Sequence, residues 1–512
     1  MTGADGLGGL AGLAMLGCVG AAMIATGLPT WLLLIGVASV FALGGVLAGA
    51  VPAQLLASVP GRVVGLLEND LLQALPLYVL TGTLLYRLPL ADVLIRTATR
   101  GLRRTGAAVP LAGLALGGVL APMNGSVGAS VLMLGRVLAP LLAAARLPAS
   151  RSAALIAMAS TLGVVIPPSL VLILLGDAML RAHTEALNIT GQAARIVNTQ
   201  DVFRGALVPA AAVLVLAVAI TWWATRDAER AARRARDAGV PAPAIAIDCE
   251  ATITGRDVLA GMMVLGLIVA LLAGVTMGYL YAVEAAATGG VALFLYGIVT
   301  RTLTRPVLAV VVDETIAVTG ALFALLVGAT TFTLVLRGLG TDRLVAAWLT
   351  GLPGGEYVPL AAALAVLAAC AFVLDAFEMI FVVVPVLLPP VLVRIADPVW
   401  VAVLTLLILQ MSFLLPPFGY AVQMVRNTLD LRDSATAMAR ALAPYLIAQV
   451  VVIATVIAFP GVLWRGPADA LGPGGATPLS DNEARSLMDR QLGMPPTESV
   501  PGVEPTAPPA ME

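Results

Sequence analysis

Residues 109–112 read Val-Pro-Leu-Ala, and the same four letters return at residues 358–361, 249 positions further along the chain. Prolines agree at the same offset in three further cases: Pro140 with Pro389, Pro167 with Pro416, and Pro168 with Pro417. Helix-breaking residues at matching positions of a weak internal repeat are typical of membrane transporters made of two related halves, and they mark the binding region. The sequence therefore predicts a duplicated unit with a break in each copy.

The composition of the chain is that of a membrane protein. Hydrophobic residues make up 60% of the 512 positions and charged residues only 12%. Many apolar runs reach the ~20 residues that a spanning helix needs. The 29 basic and 30 acidic residues leave a net charge of -1, which gives no indication of a nucleic-acid partner. These features predict an all-α polytopic membrane protein.

Apolar stretches of spanning length occur ten times, five in each repeat. They lie at about residues 8–27, 31–51, 70–87, 150–178, 204–225, 257–275, 279–300, 319–336, 398–427 and 441–464. An odd number of spans makes the second repeat enter the membrane from the opposite side. We therefore expect inverted repeats, each with five spanning helices and one re-entrant hairpin.

The hairpins are expected between the third and fourth span of each repeat, at residues 106–140 and 355–390. Each of these apolar stretches is too long for one span and too short for two spans with a loop. The next spans, 150–178 and 398–427, contain the proline doublets. Because consecutive prolines remove two backbone donors, we expect both of these helices to be broken.

These predictions divide the chain into four segments. They are a first inverted repeat over 1–225, a cytoplasmic charged loop over 226–256, a second inverted repeat over 257–464, and a disordered acidic and Pro-rich tail over 465–512. Most arginines fall on one side of the membrane if the charged loop is cytoplasmic. Both termini then face outward, the first hairpin opens to the cytoplasm, and the second opens to the outside.

The first candidate site combines the tip of the first hairpin with the break after it. Small and hydroxyl residues at membrane depth can present backbone and side-chain oxygens to a cation or a substrate. The candidates are Asn124, Gly125, Ser126, Ser130, Thr161, Gly163, Pro167 and Pro168. The alternative is a kinked structural helix whose serines bond their own backbone.

The second candidate site is the matching region of the second repeat. A carboxylate at the bilayer centre costs about 2.5–3.5 kcal/mol on insertion scales, so the acidic pair at this tip is expected to face a polar cavity. The candidates are Asp375, Glu378, Ser412, Pro416, Pro417 and Gly419. Cation coordination, proton coupling and substrate contact all remain open for the carboxylates. A capping role toward the backbone N–H groups of the tip is the structural alternative.

Two further polar residues stand out in the apolar sequence. Glu284 lies near the start of an apolar span and is expected either to line an interface or to reach toward the headgroups. His183 stands alone among polar residues and is expected to be a solvated loop side chain, since one histidine forms neither a metal site nor a catalytic dyad.

Five motifs resemble the large membrane subunit of tripartite ATP-independent periplasmic (TRAP) transporters, and the likeness covers nearly all of residues 30–464. They are GSVGASVLMLG (125–135), STLGVVIPPSLVLILLGD (160–177), VEAAATGG (283–290), LDAFEMIFVVVPVLLPP (374–390) and SFLLPPFG (412–419). The last two look like the branch often labelled mannitol/chloroaromatic. The chain departs from the family pattern at Tyr281-Ala282-Val283-Glu284, usually Thr-Pro-Thr-Glu, and at Leu415, usually a threonine.

The resemblance implies a secondary active transporter of the bacterial inner membrane with an elevator mechanism driven by a sodium gradient. It implies two partners, a small four-helix membrane subunit and a periplasmic binding protein that delivers a small organic acid. Sodium sites are then expected at Ser126, Gly163 and Pro167, and at Asp375, Ser412 and Pro416. No cofactor besides the coupling sodium ions is expected.

Three alternatives remain, one of them within the transporters and two from other classes of membrane protein. A stand-alone ion-coupled carboxylate carrier of related architecture would lack the two partners. A polytopic membrane enzyme would need a catalytic constellation, and the sequence shows no nucleophile elbow and no metal-ligand spacing. A passive channel is disfavoured because two broken helices paired with two hairpins predict an occluded site.

Overall fold

The structure, a computed structural model, describes nine stretches of the chain. They are residues 3–102, 107–124, 126–145, 147–191, 195–237, 255–353, 355–415, 419–429 and 435–464. Within these stretches the protein is almost entirely helical and has no β-strand. The prediction of an all-α protein is confirmed, whereas most of the charged loop and the whole of the tail lie outside the described residues.

The α-helices are numbered in chain order. They are α1 (Gly3–Thr26), α2 (Thr30–Leu47), α3 (Ala53–Ala57), α4 (Val59–Leu67), α5 (Asp70–Arg87), α6 (Leu90–Gly101), α7 (Ala108–Leu120), α8 (Val127–Ala144), α9 (Ala149–Val165), α10 (Leu170–Thr190), α11 (Thr199–Asp237), α12 (Gly255–Met277), α13 (Ala282–Val299), α14 (Arg305–Gly338), α15 (Thr341–Gly351), α16 (Tyr357–Cys370), α17 (Ala376–Glu378), α18 (Val384–Leu392), α19 (Pro398–Ser412), α20 (Tyr420–Thr428) and α21 (Ala435–Ala458). A 3₁₀ turn (Ala121–Asn124) follows α7, a π turn (Met379–Val383) joins α17 to α18, and a second 3₁₀ turn (Pro460–Val462) follows α21.

Seven of the described helices are long and apolar enough to cross a membrane, or up to nine spans if each bent pair counts as one. The bent pairs are α3 and α4 with α5, and α9 with α10. The predicted span 257–275 lies within α12, a continuous helix of 23 residues. The predicted span 398–427 is instead divided between α19 and α20, because a hydropathy run does not show where a helix is interrupted. One arm of the first hairpin, α8, has the length of a full span.

Burial separates an inner group of helices from an outer one. Every residue of α9 from Ser152 to Val165 is buried, and so is nearly all of α19. By contrast α2, α13 and α14 expose large apolar side chains such as Leu43, Leu295 and Ile316, as expected for lipid-facing helices. The two helices that end at the predicted breaks therefore lie at the centre of the molecule.

The ends of the inner helices follow standard capping chemistry. The side chain of Asp397 accepts hydrogen bonds from the amides of Val399 and Trp400, each 3.1 Å away, and Pro398 occupies the first turn of α19. The C-terminal end of α10 is formed by Gly191, which adopts a left-handed conformation with φ 65° and terminates the helix.

Each broken helix consists of two segments, α9 with α10 and α19 with α20. Each hairpin packs against one segment of each broken helix. The first hairpin, α7 and α8 with the 3₁₀ turn between them, contacts α9, and α8 also contacts α20. The second hairpin, α16 to α18 with its π turn, contacts α19 through α16 and α17, and α10 through α18. Because of this crossed packing, the two hairpins and the two broken helices interlock.

One sequence-based expectation was wrong. His183 is not a solvated loop residue, because it lies within α10 and is only 6% exposed. Its Nδ1 accepts a 3.2 Å hydrogen bond from the amide of Val197. The polar neighbours that suggested a loop are instead the last turns of a helix that continues past the apolar segment.

Candidate functional site

The first break lies between α9 and α10, which are bent by 40°. Pro167 and Pro168 have no N–H, so the carbonyls of Gly163 and Val164 lose their usual donors four residues later. The hydroxyl of Ser169 replaces one of these donors, since it lies 3.0 Å from the Val164 oxygen. The same hydroxyl accepts a bond from the amide of Leu172 at 3.1 Å and so caps α10.

The tip of the first hairpin rests directly on this break. A Cβ atom on Gly163 would overlap the backbone carbonyl of Ala121, the first residue of the 3₁₀ turn, and a Cβ atom on Gly117 would overlap the carbonyl of Ala159. Only glycine permits such close backbone contact. Ser126 then takes an extended conformation and begins α8. The structure thus brings the tip and the Gly163 segment together, as the first candidate site requires.

Three of the four hydroxyl residues in the candidate sites donate to their own backbone one turn earlier. Thr161 donates to Met158 at 3.0 Å, Ser130 to Ser126 at 3.1 Å, and Ser412 to Leu409 at 2.6 Å. This is the structural alternative raised from the sequence. It does not exclude coordination, because a hydroxyl that donates its proton still has lone pairs for a cation.

The second tip is built around Asp375 and Glu378. The Asp375 carboxylate accepts a 2.6 Å bond from the amide of Ala376, and the Glu378 carboxylate accepts a 3.0 Å bond from the amide of Asp375. This is a capping box at the start of α17. Glu378 is only 6% exposed and also interacts with the hydroxyl of Thr30 at the start of α2. The tip carboxylates therefore do cap their own backbone.

The second break separates α19 from α20. Pro416, Pro417 and, in the first site, Gly125 lie outside the described residues, as does the side chain of Asn124. The carbonyl of Phe413 accepts a 3.1 Å bond from the amide of Ala421, and the amide of Gly419 donates to Leu415 at 2.7 Å. A Cβ on Gly419 would lie 2.6 Å from the Phe413 oxygen, so the chain turns tightly at this point.

Tyr420 connects the second break to both tips. Its ring meets Phe413 edge to face with centroids 6.4 Å apart, and a Cβ on Gly128 of the first hairpin would lie 2.6 Å from its hydroxyl. The carboxylate of Asp375 acts electrostatically on the same phenol group. Sequence reasoning missed Tyr420, although its position directly after SFLLPPFG was a usable signal.

Oxygen ligands dominate this central region. No group of three or more His, Cys, Asp or Glu side chains that could hold a metal ion occurs in the described part of the chain. Backbone carbonyls, hydroxyls and one carboxylate are hard ligands that suit a small alkali or alkaline-earth cation. Glu284, by contrast, is exposed and accepts a 2.9 Å bond from the amide of Tyr281, so it caps α13 away from the centre.

The described part of the chain has up to nine apolar spans, two hairpins and two interlocked broken helices, which is the architecture of a polytopic membrane transporter. The chain belongs to the family described as the tripartite ATP-independent periplasmic transporter, DctM component, which it matches over residues 16–462. The resemblance inferred from the proline motifs is confirmed. Members of this family are transporter permeases, so the protein is not an enzyme.

Two individual proteins illustrate the relationship. The C4-dicarboxylate TRAP transporter large permease protein DctM of Rhodobacter capsulatus is 25% identical over 360 residues, which make up 69% of this chain and 77% of that protein. A crystal structure of the Alcanivorax borkumensis YdaH transporter, described as having an unusual topology, has a TM-score of 0.57 at 19% identity. That match covers 81% of this chain and 90% of the YdaH chain and concerns the fold alone.

Proposed function

We propose that this permease imports a small organic acid across the bacterial inner membrane, driven by a sodium gradient. The observation that carries the proposal is the crossed packing of two hairpin tips on two broken helices, which collects freed carbonyls and hydroxyls in one buried region. The relative from Rhodobacter capsulatus is named for C4-dicarboxylates, which makes succinate the first substrate to test.

The coupling ions are proposed to bind at the two breaks. One site would use Ser126, Gly163 and the carbonyls freed by Pro167, and the other would use Asp375, Ser412 and Pro416. The close contact of Gly163 with Ala121 supports the first site, and the packing of α17, which Asp375 caps, against α19 supports the second. The mannitol/chloroaromatic branch label stays a prediction.

The transport cycle is proposed to be an elevator movement of inverted repeats. The hairpins and broken helices, about residues 106–178 and 355–427, would slide as one body against a scaffold formed by the other spans, with both termini in the periplasm. A small four-helix subunit would stabilise the scaffold, and a periplasmic binding protein would deliver the acid.

The test is uptake of radiolabelled succinate into proteoliposomes that contain both membrane subunits, with the binding protein added outside. Uptake is expected only with an inward sodium gradient and only with the binding protein. Equal uptake when potassium replaces sodium under an imposed proton gradient would contradict sodium coupling. Equal uptake without the binding protein would instead identify a stand-alone carrier.

A further inference from the structure

A cavity of about 230 Å³ lies away from the two breaks, beside the second hairpin. Its walls come from α4 and α5, from α10, from α14, and from the π turn with the start of α18. The volume is several times the ~30 Å³ that one water molecule occupies in the liquid, so a small acid has room there. The cavity thus lies between the proposed moving body and the proposed scaffold.

Three arginines and two acids line this cavity. They are Arg62 of α4, Arg337 of α14, and Asp177, Arg181 and Glu185 of α10. Three guanidinium groups against two carboxylates leave an excess of one positive charge in a partly enclosed space. Such an excess attracts anions, and guanidinium groups match carboxylates in shape and hydrogen bonding.

Arg337 connects the scaffold to the second hairpin and to α10. Its Nη2 donates to Glu185 Oε2 at 2.8 Å and to the carbonyl oxygen of Pro385 at 3.0 Å. That carbonyl is available because Pro389, four residues later, has no N–H to donate within α18. The proline pattern of the second hairpin therefore supplies an acceptor that faces the cavity.

Of the other two arginines in the cavity, Arg181 has a carboxylate partner and Arg62 has none in the described part of the chain. Arg181 pairs with Asp177, whose other oxygen accepts a 3.3 Å bond from Asn69. Arg62 has no hydrogen bond or ion pair with any described residue, and the guanidinium of Arg337 repels it. Arg62, which is exposed to solvent, is thus the one of the three cavity arginines that has no counter-charge among the described residues.

We propose that this cavity, apart from the two proposed sodium sites, binds a carboxylate group of the transported acid, with Arg62 and Arg337 as its donors. The inference rests on the proposed function. An incoming carboxylate would neutralise Arg62 and compete with Glu185 for Arg337. Binding there would weaken the contact that joins α14 to α10, which lies between the two bodies of the proposed elevator.

A cysteine reporter tests binding directly. Thr330→Cys places a thiol in the cavity wall, in a background without Cys18, Cys249 and Cys370. Purified protein in phosphatidylcholine nanodiscs is labelled with a cationic methanethiosulfonate, with or without succinate at constant ionic strength. Succinate should slow labelling severalfold, and neutral succinamide should not.

Matched arginine variants identify the donors. Arg62→Gln should abolish the protection, whereas Arg343→Gln, an exposed arginine of α15 outside the cavity, should keep it. In proteoliposomes Arg62→Gln should raise the KM for the succinate-loaded binding protein roughly tenfold, as the loss of one charge-assisted hydrogen bond predicts. The maximal rate should change much less.

Several results would overturn the inference. Unchanged labelling with succinate, in a preparation that takes up succinate with sodium, would reject the cavity site and leave the proposed function intact. Labelling slowed by phosphatidylglycerol and not by succinate would reassign the cavity to a lipid headgroup. Protection by succinate in a protein that does not transport it would contradict the proposed function, and it would show that the cavity binds a carboxylate that is not the transported acid.

Discussion

The backbone amide of Asp375 donates a 3.0 Å hydrogen bond to the carboxylate of Glu378, while the carboxylate of Asp375 bonds forward to the amide of Ala376. The two acids of the second tip therefore support each other's backbone. Glu378 also interacts with Thr30 on α2, whereas Asp375 acts on Tyr420 at the second break. Because of this difference in direction, we propose Asp375, not Glu378, as the carboxylate that faces the cation.

Substitution of Asp375 by asparagine removes the negative charge of the side chain and keeps its ability to cap the helix. Asparagine caps helices about as well as aspartate, so Asp375→Asn should leave the melting temperature nearly unchanged. Sodium-driven uptake should fall by at least about tenfold, since a cation loses a charged ligand. Glu378→Gln should have a milder effect, because its amide oxygen can still accept the Asp375 bond. Normal uptake with a lowered melting temperature in Asp375→Asn would show that the carboxylate only caps the tip.

Gly163→Ala tests the contact between the first tip and the first break. The added methyl group would overlap the Ala121 carbonyl, and overpacking of this kind typically destabilises by about 1–3 kcal/mol. The stabilisation that sodium gives in thermal unfolding should also be lost. Gly266→Ala on α12 is the control, since nothing lies within 4 Å of its new Cβ. A sodium-dependent melting temperature that persists in Gly163→Ala would remove this segment from the ion site.

Tyr420 and Gly128 allow a double-mutant cycle across the two repeats. Gly128→Ala should destabilise the protein by about 1–2 kcal/mol, because its Cβ would lie 2.6 Å from the tyrosine hydroxyl. Tyr420→Phe removes that oxygen, and the nearest ring atoms are then 3.4 Å away. The double variant should therefore recover much of the loss in thermal unfolding. Strictly additive losses would mean that α20 and the first hairpin do not meet in this way.

The sequence predicted the individual helix breaks and hairpin tips of the site better than the contacts between them. Proline doublets and small residues locate a helix break because their effect on the backbone is local, and the break at Pro167 lies where expected. The contact between Tyr420 and Gly128 joins positions far apart in sequence, which no local pattern shows. His183 was misjudged because its polar neighbours suggested a loop, whereas α10 continues past the apolar segment and the packing of that helix buries the imidazole.

The central claim is that the hairpins and broken helices move as one body against the scaffold. Two disulfides distinguish this claim from a fixed structure, both in a background without Cys18, Cys249 and Cys370. A Cβ on Gly20 of α1 would lie 3.7 Å from Cγ1 of Val373 at the second tip, so a disulfide between Gly20→Cys and Val373→Cys would join scaffold to moving body.

The control pair lies within the proposed moving body. A Cβ on Gly135 of α8 would lie 3.3 Å from Cγ2 of Thr428 on α20, so Gly135→Cys with Thr428→Cys would join two parts that travel together. The decisive measurement is sodium-driven succinate uptake in proteoliposomes before and after oxidation. The elevator account predicts that the first disulfide stops uptake until reductant restores it, while the second leaves uptake unchanged. Full uptake by a protein whose first disulfide has formed completely would contradict the account.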